Sequence, residues 1–195
     1  MKNYETLNIR MTVYCALFTA LIIVGGYISI PIPIGPVPIV LADFFVMLAG
    51  LFLGFKYAFI SISLYLALGL IGLPVFAGGT SGLAVIFGPT GGFIIGYILM
   101  GVCIGFITTK MKVTIISLMI ALIAGNILLY LAGVPWLKFN MKLSWPAAIT
   151  IGFIPFTAGI VIKIAAAVAL GYAFLPQFKQ KMVFASFKQP DDGDE

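Results

Sequence analysis

Long apolar runs, separated by short stretches rich in charge, glycine or proline, make up most of this chain. A helix needs about 20 mostly apolar residues to cross the hydrocarbon core of a membrane. The charges and helix breakers divide the chain into six runs of about that length. They lie at residues 11–30, 39–55, 57–73, 92–109 and 113–134, and in a last run that ends near residue 175. The pattern therefore predicts six membrane-spanning helices.

Composition supports a membrane location. The chain is 62% hydrophobic and only 9% charged, whereas a soluble domain is about 25% charged. We expect an all-α integral membrane protein, a six-transmembrane-helix bundle. Residues 1–10 are predicted to be a cytoplasmic N-terminal segment, residues 11–175 the bundle, and residues 176–195 a cytoplasmic polar tail.

The distribution of basic residues predicts the orientation. An even number of spans places both termini on one side. Eight basic residues fall on that side, and only two, Lys138 and Lys142, fall on the other. Because cytoplasmic loops carry the excess of lysine and arginine, both termini are predicted to be cytoplasmic, in the cell membrane of a bacterium. The eight are Lys2, Arg10, Lys56, Lys110, Lys112, Lys179, Lys181 and Lys188.

The outward loop at residues 72–92, GLPVFAGGTSGLAVIFGPTGG, is rich in glycine and carries no charge. Irregular backbone at membrane depth is tolerated only where protein buries it or where it lines a cavity. We expect this loop to fold back into the mouth of the bundle and to offer amides and hydroxyls to a small ligand. A surface turn that needs glycine for its shape is the alternative. The candidate ligand contacts are Gly78, Gly79, Thr80, Ser81 and Thr90.

Two ionisable residues, Asp43 and Lys163, lie inside predicted spans. A charge at the centre of the bilayer costs about 3 kcal/mol on insertion scales, so such residues are functional candidates or mutual partners. Either Lys163 binds the anionic group of a ligand, or Lys163 and Asp43 form a structural pair. Asn126 is a third polar residue in a span, and it either contacts a ligand or bonds a neighbouring helix.

Several classes of chemistry are excluded. The chain contains no histidine, which removes histidine acid–base catalysis and histidine metal sites. It also lacks a GxxxxGK[ST] phosphate loop. Cys15 and Cys103 lie in apolar runs and are interpreted as packing residues. We therefore predict a binding subunit that is not an enzyme, carries no cofactor and takes its energy from elsewhere.

Three stretches resemble one family. The segment from residue 36 to residue 101, which begins PVPIVLADFFVMLAG and includes the glycine-rich loop, resembles BioY-type substrate-binding (S) components of energy-coupling-factor (ECF) transporters. GNILLYLAGVPWL at residues 125–137 and GFIPFTAGIVIKI at residues 152–164 are similar to two further family blocks, in order and spacing. The resemblance covers about residues 11–174.

The resemblance implies a six-helix bundle with a vitamin pocket near the outer face, and its usual ligand is biotin. It further implies a transmembrane coupling subunit and two cytoplasmic ABC-type ATPases as partners. The Ala16 and Ala20 pair resembles the motif that docks on the coupling subunit. The loop after the third span resembles one that closes over the ligand, and Lys163 resembles a pocket residue.

Two positions depart from the family pattern. Ile160 stands where the block PF-x-x-GD-x-x-K has its acid, and Ala42 stands where PVPITLQ has glutamine. Because both lost groups are polar, lipoate, which has a less polar ring and the same type of acid tail, is an alternative ligand. A stand-alone secondary carrier and a membrane scaffold without a ligand are the alternatives outside the class.

Overall fold

The computed structural model describes residues 9–33 and 35–187. Predictions for residues 1–8 and 188–195, which hold most of the N-terminal segment and the end of the tail, lie outside these residues. The described chain is almost entirely helical. Its elements are helix α1 (Ile9–Tyr27), strands β1 (Ser29–Ile30) and β2 (Ile39–Val40), helices α2 (Ala42–Leu70), α3 (Leu83–Phe87), α4 (Gly91–Lys110), α5 (Ile115–Met141), α6 (Trp145–Gly152) and α7 (Thr157–Phe187), and 3-10 turns at Ala77–Gly79 and Ile154–Phe156.

Helix α2 contains two membrane crossings. Its 29 residues would extend about 43 Å if straight. Gly54 breaks the helix with φ 71° and ψ 175°, a conformation open to glycine. Val46 and Ile62, which lie eight residues before and after the break, consequently both pack against Gly101. A Cβ built on Gly101 would lie 3.5 Å from Val46 Cγ1 and 2.3 Å from Ile62 Cδ1. Residues 42–53, the first arm, and residues 55–70, the second arm, are therefore antiparallel.

This turn confirms the predicted six-span bundle. Within the described residues, five helical stretches are long and apolar enough to cross a membrane, and α2 crosses twice. Helices α1, α2, α4 and α5 form the main body. Over residues 157–180, helix α7 buries a narrow seam of Ala167, Gly171 and Leu175. Large apolar side chains such as Ile162 and Phe174 are exposed on it, as is expected of a protein whose solvent is lipid.

Hydrogen bonds between side chains and backbone join α1 to the second arm of α2. The Thr19 hydroxyl lies 2.8 Å from the Cys15 carbonyl and 2.9 Å from the Ser61 carbonyl. The Ser61 hydroxyl donates to the Cys15 carbonyl at 3.0 Å. In lipid such interhelical hydrogen bonds hold helices in register. Cys15 is a buried free thiol in this seam, in keeping with a packing role.

Two helices are longer than the sequence predicts. The predicted end of the fifth span at residue 134 is wrong, because α5 continues through Pro135 to Met141. A proline removes one backbone donor, and here that loss falls near the end of a 27-residue helix. Helix α7 likewise passes Pro176 and runs to Phe187. Beyond the proline, Lys179 Nζ donates to the Thr108 carbonyl at 2.7 Å.

Candidate ligand-binding site

A cavity of about 340 Å³ lies at the end of the bundle where α1 finishes and α4 begins. We call this the cavity end. Its walls come from the end of α1, residues 36–42, the second arm of α2, residues 77–90 and the first turns of α4. A volume of this order suits a small organic ligand. Among the described residues that line it, none is charged, and the side-chain polar atoms are the hydroxyls of Tyr65, Thr80, Thr90 and Tyr97.

The first half of the 72–92 loop is fastened to the bundle by a buried aromatic ring. Phe76 is fully buried against Gly69, where a Cβ would lie 2.0 Å from the Phe76 ring. Phe76 and Tyr65 meet edge to face, with centroids 5.5 Å apart. The Tyr27 hydroxyl also donates to the Pro74 carbonyl. The prediction that this loop folds back into the mouth of the bundle is confirmed.

The second half of the loop is held by the extra turns of α5. Trp136 Nε1 donates to the Gly88 carbonyl at 2.9 Å, and Asn140 Nδ2 donates to the Phe87 carbonyl at 2.6 Å. These carbonyls end the short helix α3, where the helix itself supplies no donors. The sequence-based prediction ended the fifth span at residue 134 and so missed this anchor, which depends on α5 continuing beyond Pro135.

Asp43 and Lys163 form an ion pair directly behind the cavity wall. Lys163 Nζ lies 2.7 Å from Asp43 Oδ1, 2.9 Å from Asp43 Oδ2 and 2.7 Å from the Val40 carbonyl. The two side chains are 13% and 10% exposed. Val40 and Ala42 line the cavity, whereas neither charged side chain does. The pairing hypothesis thus describes the geometry, and direct contact between Lys163 and a ligand stays a prediction.

The predicted loop residues divide into two groups. Thr80 and Thr90 line the cavity. The Thr80 hydroxyl donates to the Ala77 carbonyl at 3.0 Å, and the Thr90 hydroxyl reaches the Val85 carbonyl at 3.5 Å. The remaining three belong to the same loop but do not line the volume: Gly78 is exposed, Gly79 lies against the Tyr27 ring, and Ser81 is half-buried.

Asn126 lies deeper in the bundle. Its Nδ2 donates to the Leu122 carbonyl at 2.8 Å and contacts Met47 Sδ at 3.8 Å. In the part of the chain that the structure describes, its Oδ1 is the buried side-chain oxygen without a hydrogen-bond partner. Asn126 therefore bonds its own helix and faces the first arm of α2, outside the cavity lining.

Tyr65 and Tyr97 are the functional candidates that sequence reasoning missed. Their side chains line the cavity, although the residues are only 2% and 7% exposed. A buried phenol usually finds a hydrogen-bond partner, so each can serve a polar ligand atom. The sequence offered one signal, a tyrosine well inside an apolar span. That signal is weak, because tyrosine also packs as an aromatic ring without binding a ligand.

Ala16 and Ala20 lie on the side of α1 that faces away from the bundle. Both are exposed. Val13, Leu17 and Val24 are exposed on the same helix. Together they form a continuous apolar surface with two small residues one turn apart.

A bundle of membrane-crossing helices with an uncharged cavity at one end defines an integral membrane protein with room for a small molecule at that end. Comparison with known proteins makes this assignment more specific. The chain belongs to the BioY family, whose sequence model matches residues 1–180.

Two relatives and one crystal structure are similar over most of the chain. It is 42% identical over 144 residues to biotin transporter BioY2 of Lactococcus lactis subsp. cremoris, covering 74% of this chain and 79% of that one. It is 41% identical over 163 residues to biotin transporter BioY of Thermotoga maritima, covering 83% and 94%. The crystal structure of the S-component for biotin from an ECF-type ABC transporter matches with a TM-score of 0.80 and 35% identity, covering 89% of this chain and 93% of that one.

These matches confirm the resemblance drawn from the sequence. The fold is that of an S-component, and the chain belongs to a family of transport proteins, not of enzymes.

Proposed function

We propose that this protein captures biotin for uptake across the cell membrane, as the substrate-binding subunit of an ECF-type transporter. The observation that carries the proposal is the cavity of about 340 Å³, in a chain that is 42% and 41% identical to two relatives named biotin transporter. A volume of this order accommodates a small bicyclic acid.

The ligand's chemistry suits this lining. Biotin combines an apolar thioether ring and alkyl chain with a ureido group that has one carbonyl and two N–H donors. The phenols of Tyr65 and Tyr97 can donate to the carbonyl, while Thr80 and Thr90 present oxygen lone pairs that accept N–H groups. Gly78, Gly79 and Ser81 shape the loop around the ligand. Asp43 and Lys163 act through the wall that they support, and Asn126 acts from deeper in the bundle, where it faces Met47.

The partners follow from the surface of α1. We propose that the cavity end faces outward, that both termini are cytoplasmic, and that a coupling subunit docks on the face containing Ala16 and Ala20. Their exposure lets another helix approach closely, as small residues four apart permit in lipid. Two ABC-type ATPases bound to that coupling subunit then supply the energy.

Lipoate is a second candidate ligand, favoured by one observation. Ala42, at the position where the resemblance leads us to expect glutamine, lines the cavity. The wall there offers a methyl group in place of an amide, which weakens recognition of a polar ring by about 1–3 kcal/mol for each polar group left unsatisfied.

Native mass spectrometry of the purified protein, offered biotin and lipoate together at equal concentration, tests the proposal. We expect a one-to-one complex whose mass exceeds that of the protein by the mass of biotin. A complex with lipoate alone would transfer the function to that acid, and absence of both would remove the function. Uptake by cells that lack any coupling subunit would instead indicate a stand-alone carrier.

A further inference from the structure

The charges nearest the cavity already satisfy one another. An ammonium group has three N–H donors and no acceptor. The three oxygens around Lys163 Nζ, two from Asp43 and one from Val40, lie at 2.7, 2.9 and 2.7 Å. Every donor of Lys163 is therefore occupied, and the pair is neutral as a unit. An incoming carboxylate would have to displace Asp43 or the Val40 carbonyl before it could bind this lysine.

The threonines that line the cavity are no better placed to bind an anion. The Thr80 hydroxyl donates its single hydrogen to the Ala77 carbonyl at 3.0 Å, and the Thr90 hydroxyl donates to the Val85 carbonyl over a longer 3.5 Å. Each hydroxyl oxygen thus presents lone pairs to the cavity, and lone pairs repel a carboxylate. They attract N–H groups instead.

The deepest part of the cavity is uncharged as well. Tyr65 and Tyr97 lie there on facing helices, with ring centroids 6.4 Å apart. Their phenols suit a neutral carbonyl, because a buried carboxylate without a cation is far more costly than a buried amide that is hydrogen-bonded. A neutral ring is therefore the part of the ligand that this end can hold.

We propose that this site recognises the ring of its ligand and does not distinguish a charged acid tail from a neutral one, because the Lys163 ammonium is already paired with the Asp43 carboxylate. The inference rests on the proposed function and specifies its substrate class: the acid and its carboxyl-blocked derivatives, such as the amide, are bound alike. Asp43 is then a specificity-determining residue, although it does not line the cavity.

Competition of biotin and biotin amide against radiolabelled biotin, on the purified wild-type protein, tests this without any substitution. We expect the two dissociation constants to agree within about threefold, equivalent to less than 1 kcal/mol. A larger preference for the acid would overturn the inference. If neither compound competes and labelled biotin is not retained, the proposed function itself fails, so the two failures are distinguishable.

The Asp43→Asn variant tests the cause. Removing the carboxylate frees at least one donor of Lys163, so the acid should become favoured over the amide by about tenfold or more. Asp43→Asn with Lys163→Met should return the ratio to that of the wild type. An unchanged ratio in well-folded Asp43→Asn would show that Asp43 does not set this specificity. Monodisperse elution of each variant from size exclusion confirms that it is folded.

Discussion

At the scale of single residues, the ion pair between Asp43 and Lys163 determines the properties of the cavity wall. A pair taken out of water contributes little net stability, but a lone buried charge is strongly destabilising. Lys163 makes three short contacts, two to Asp43 and one to the Val40 carbonyl, and these join α7 to the start of α2. The pair thus helps to position Val40 and Ala42, which line the cavity.

Replacing Lys163 by methionine should destabilise the protein by about 3–5 kcal/mol, since Asp43 is left buried without a partner. Thermal unfolding in lipid nanodiscs measures this change. The double variant Lys163→Met and Asp43→Asn, which removes both charges, should recover most of the loss. If the single and double variants have the same melting temperature, the unpaired Asp43 charge is not what destabilises the single variant.

Ile160 offers a second way to neutralise the lysine. It lies three residues before Lys163 in α7 and is half-buried, and residues three apart are neighbours on a helix surface. Ile160→Asp should therefore restore most of the stability that Asp43→Asn removes, in the same nanodisc assay. Val161→Asp, an exposed neighbouring position, is the matched control and should give no rescue. Equal behaviour of the two acids would argue against a local charge effect.

The sequence predicted part of this residue chemistry. Asp43 and Lys163 were identified because a charge in an apolar span is conspicuous, and Thr80 and Thr90 because they interrupt a glycine-rich loop. Tyr65 and Tyr97 could not be identified in the same way. Whether a tyrosine faces a cavity or a neighbouring helix depends on the rotation of each helix, which is fixed only by packing.

At the scale of elements, the 72–92 loop is held at two points, with the cavity between them. Phe76 secures one end against Gly69, and Trp136 and Asn140 secure the other through the carbonyls of Gly88 and Phe87. The segment between them contains three glycines with positive φ, Gly78, Gly79 and Gly82. We expect this middle segment to adjust to the ligand while its ends stay in place.

Trp136→Phe should weaken biotin binding about tenfold, because it removes the hydrogen bond to Gly88 while keeping a ring against Gly92. Isothermal titration calorimetry measures the affinity. Trp145→Phe is the matched control: Trp145 is half exposed and contacts Lys138, so its loss should leave binding unchanged. Equal affinities for both variants and the wild type would mean that this anchor does not shape the cavity.

Element boundaries were harder to predict than element number. Charges and breakers separate the six spans correctly, and the tight turn at Gly54 falls two residues before the predicted junction of the second and third spans. The end of α5 was wrong because Pro135 was taken as a terminator. A proline near a helix end costs one donor, and the contacts of Trp136 and Asn140 with the loop stabilise the turns beyond it.

At the scale of the whole molecule, the binding cavity and the exposed face of α1 are separate surfaces. Gly26 lines the cavity, whereas Ala16 lies ten residues earlier on the same helix, about 15 Å away along the axis. Binding and assembly should therefore respond to different substitutions.

Ala16→Leu with Ala20→Leu should abolish co-purification with the coupling subunit, because the added side chains prevent close helix contact. Biotin binding should change less than about twofold, well under 1 kcal/mol. Ala165→Leu with Ala169→Leu, at the same spacing on an exposed face of α7, is the control and should assemble normally. Loss of assembly in the control, or retention in the α1 variant, would place the docking surface elsewhere.

The general location of the cavity was predictable, because an uncharged, glycine-rich loop at the mouth of a bundle has to be buried or to line a cavity. Its walls were not predictable, since they combine five separated segments whose meeting depends on the fold of the entire chain.

The most direct test of the central claim is to fill the cavity and measure biotin binding. Ala84 and its neighbour Leu83 are both exposed, but of the two only Ala84 lines the cavity. In a filter assay with radiolabelled biotin, Ala84→Trp should lose about tenfold or more in affinity, whereas Leu83→Trp should bind like the wild type. Wild-type affinity in well-folded Ala84→Trp would contradict the account, because the ligand would then bind outside this cavity.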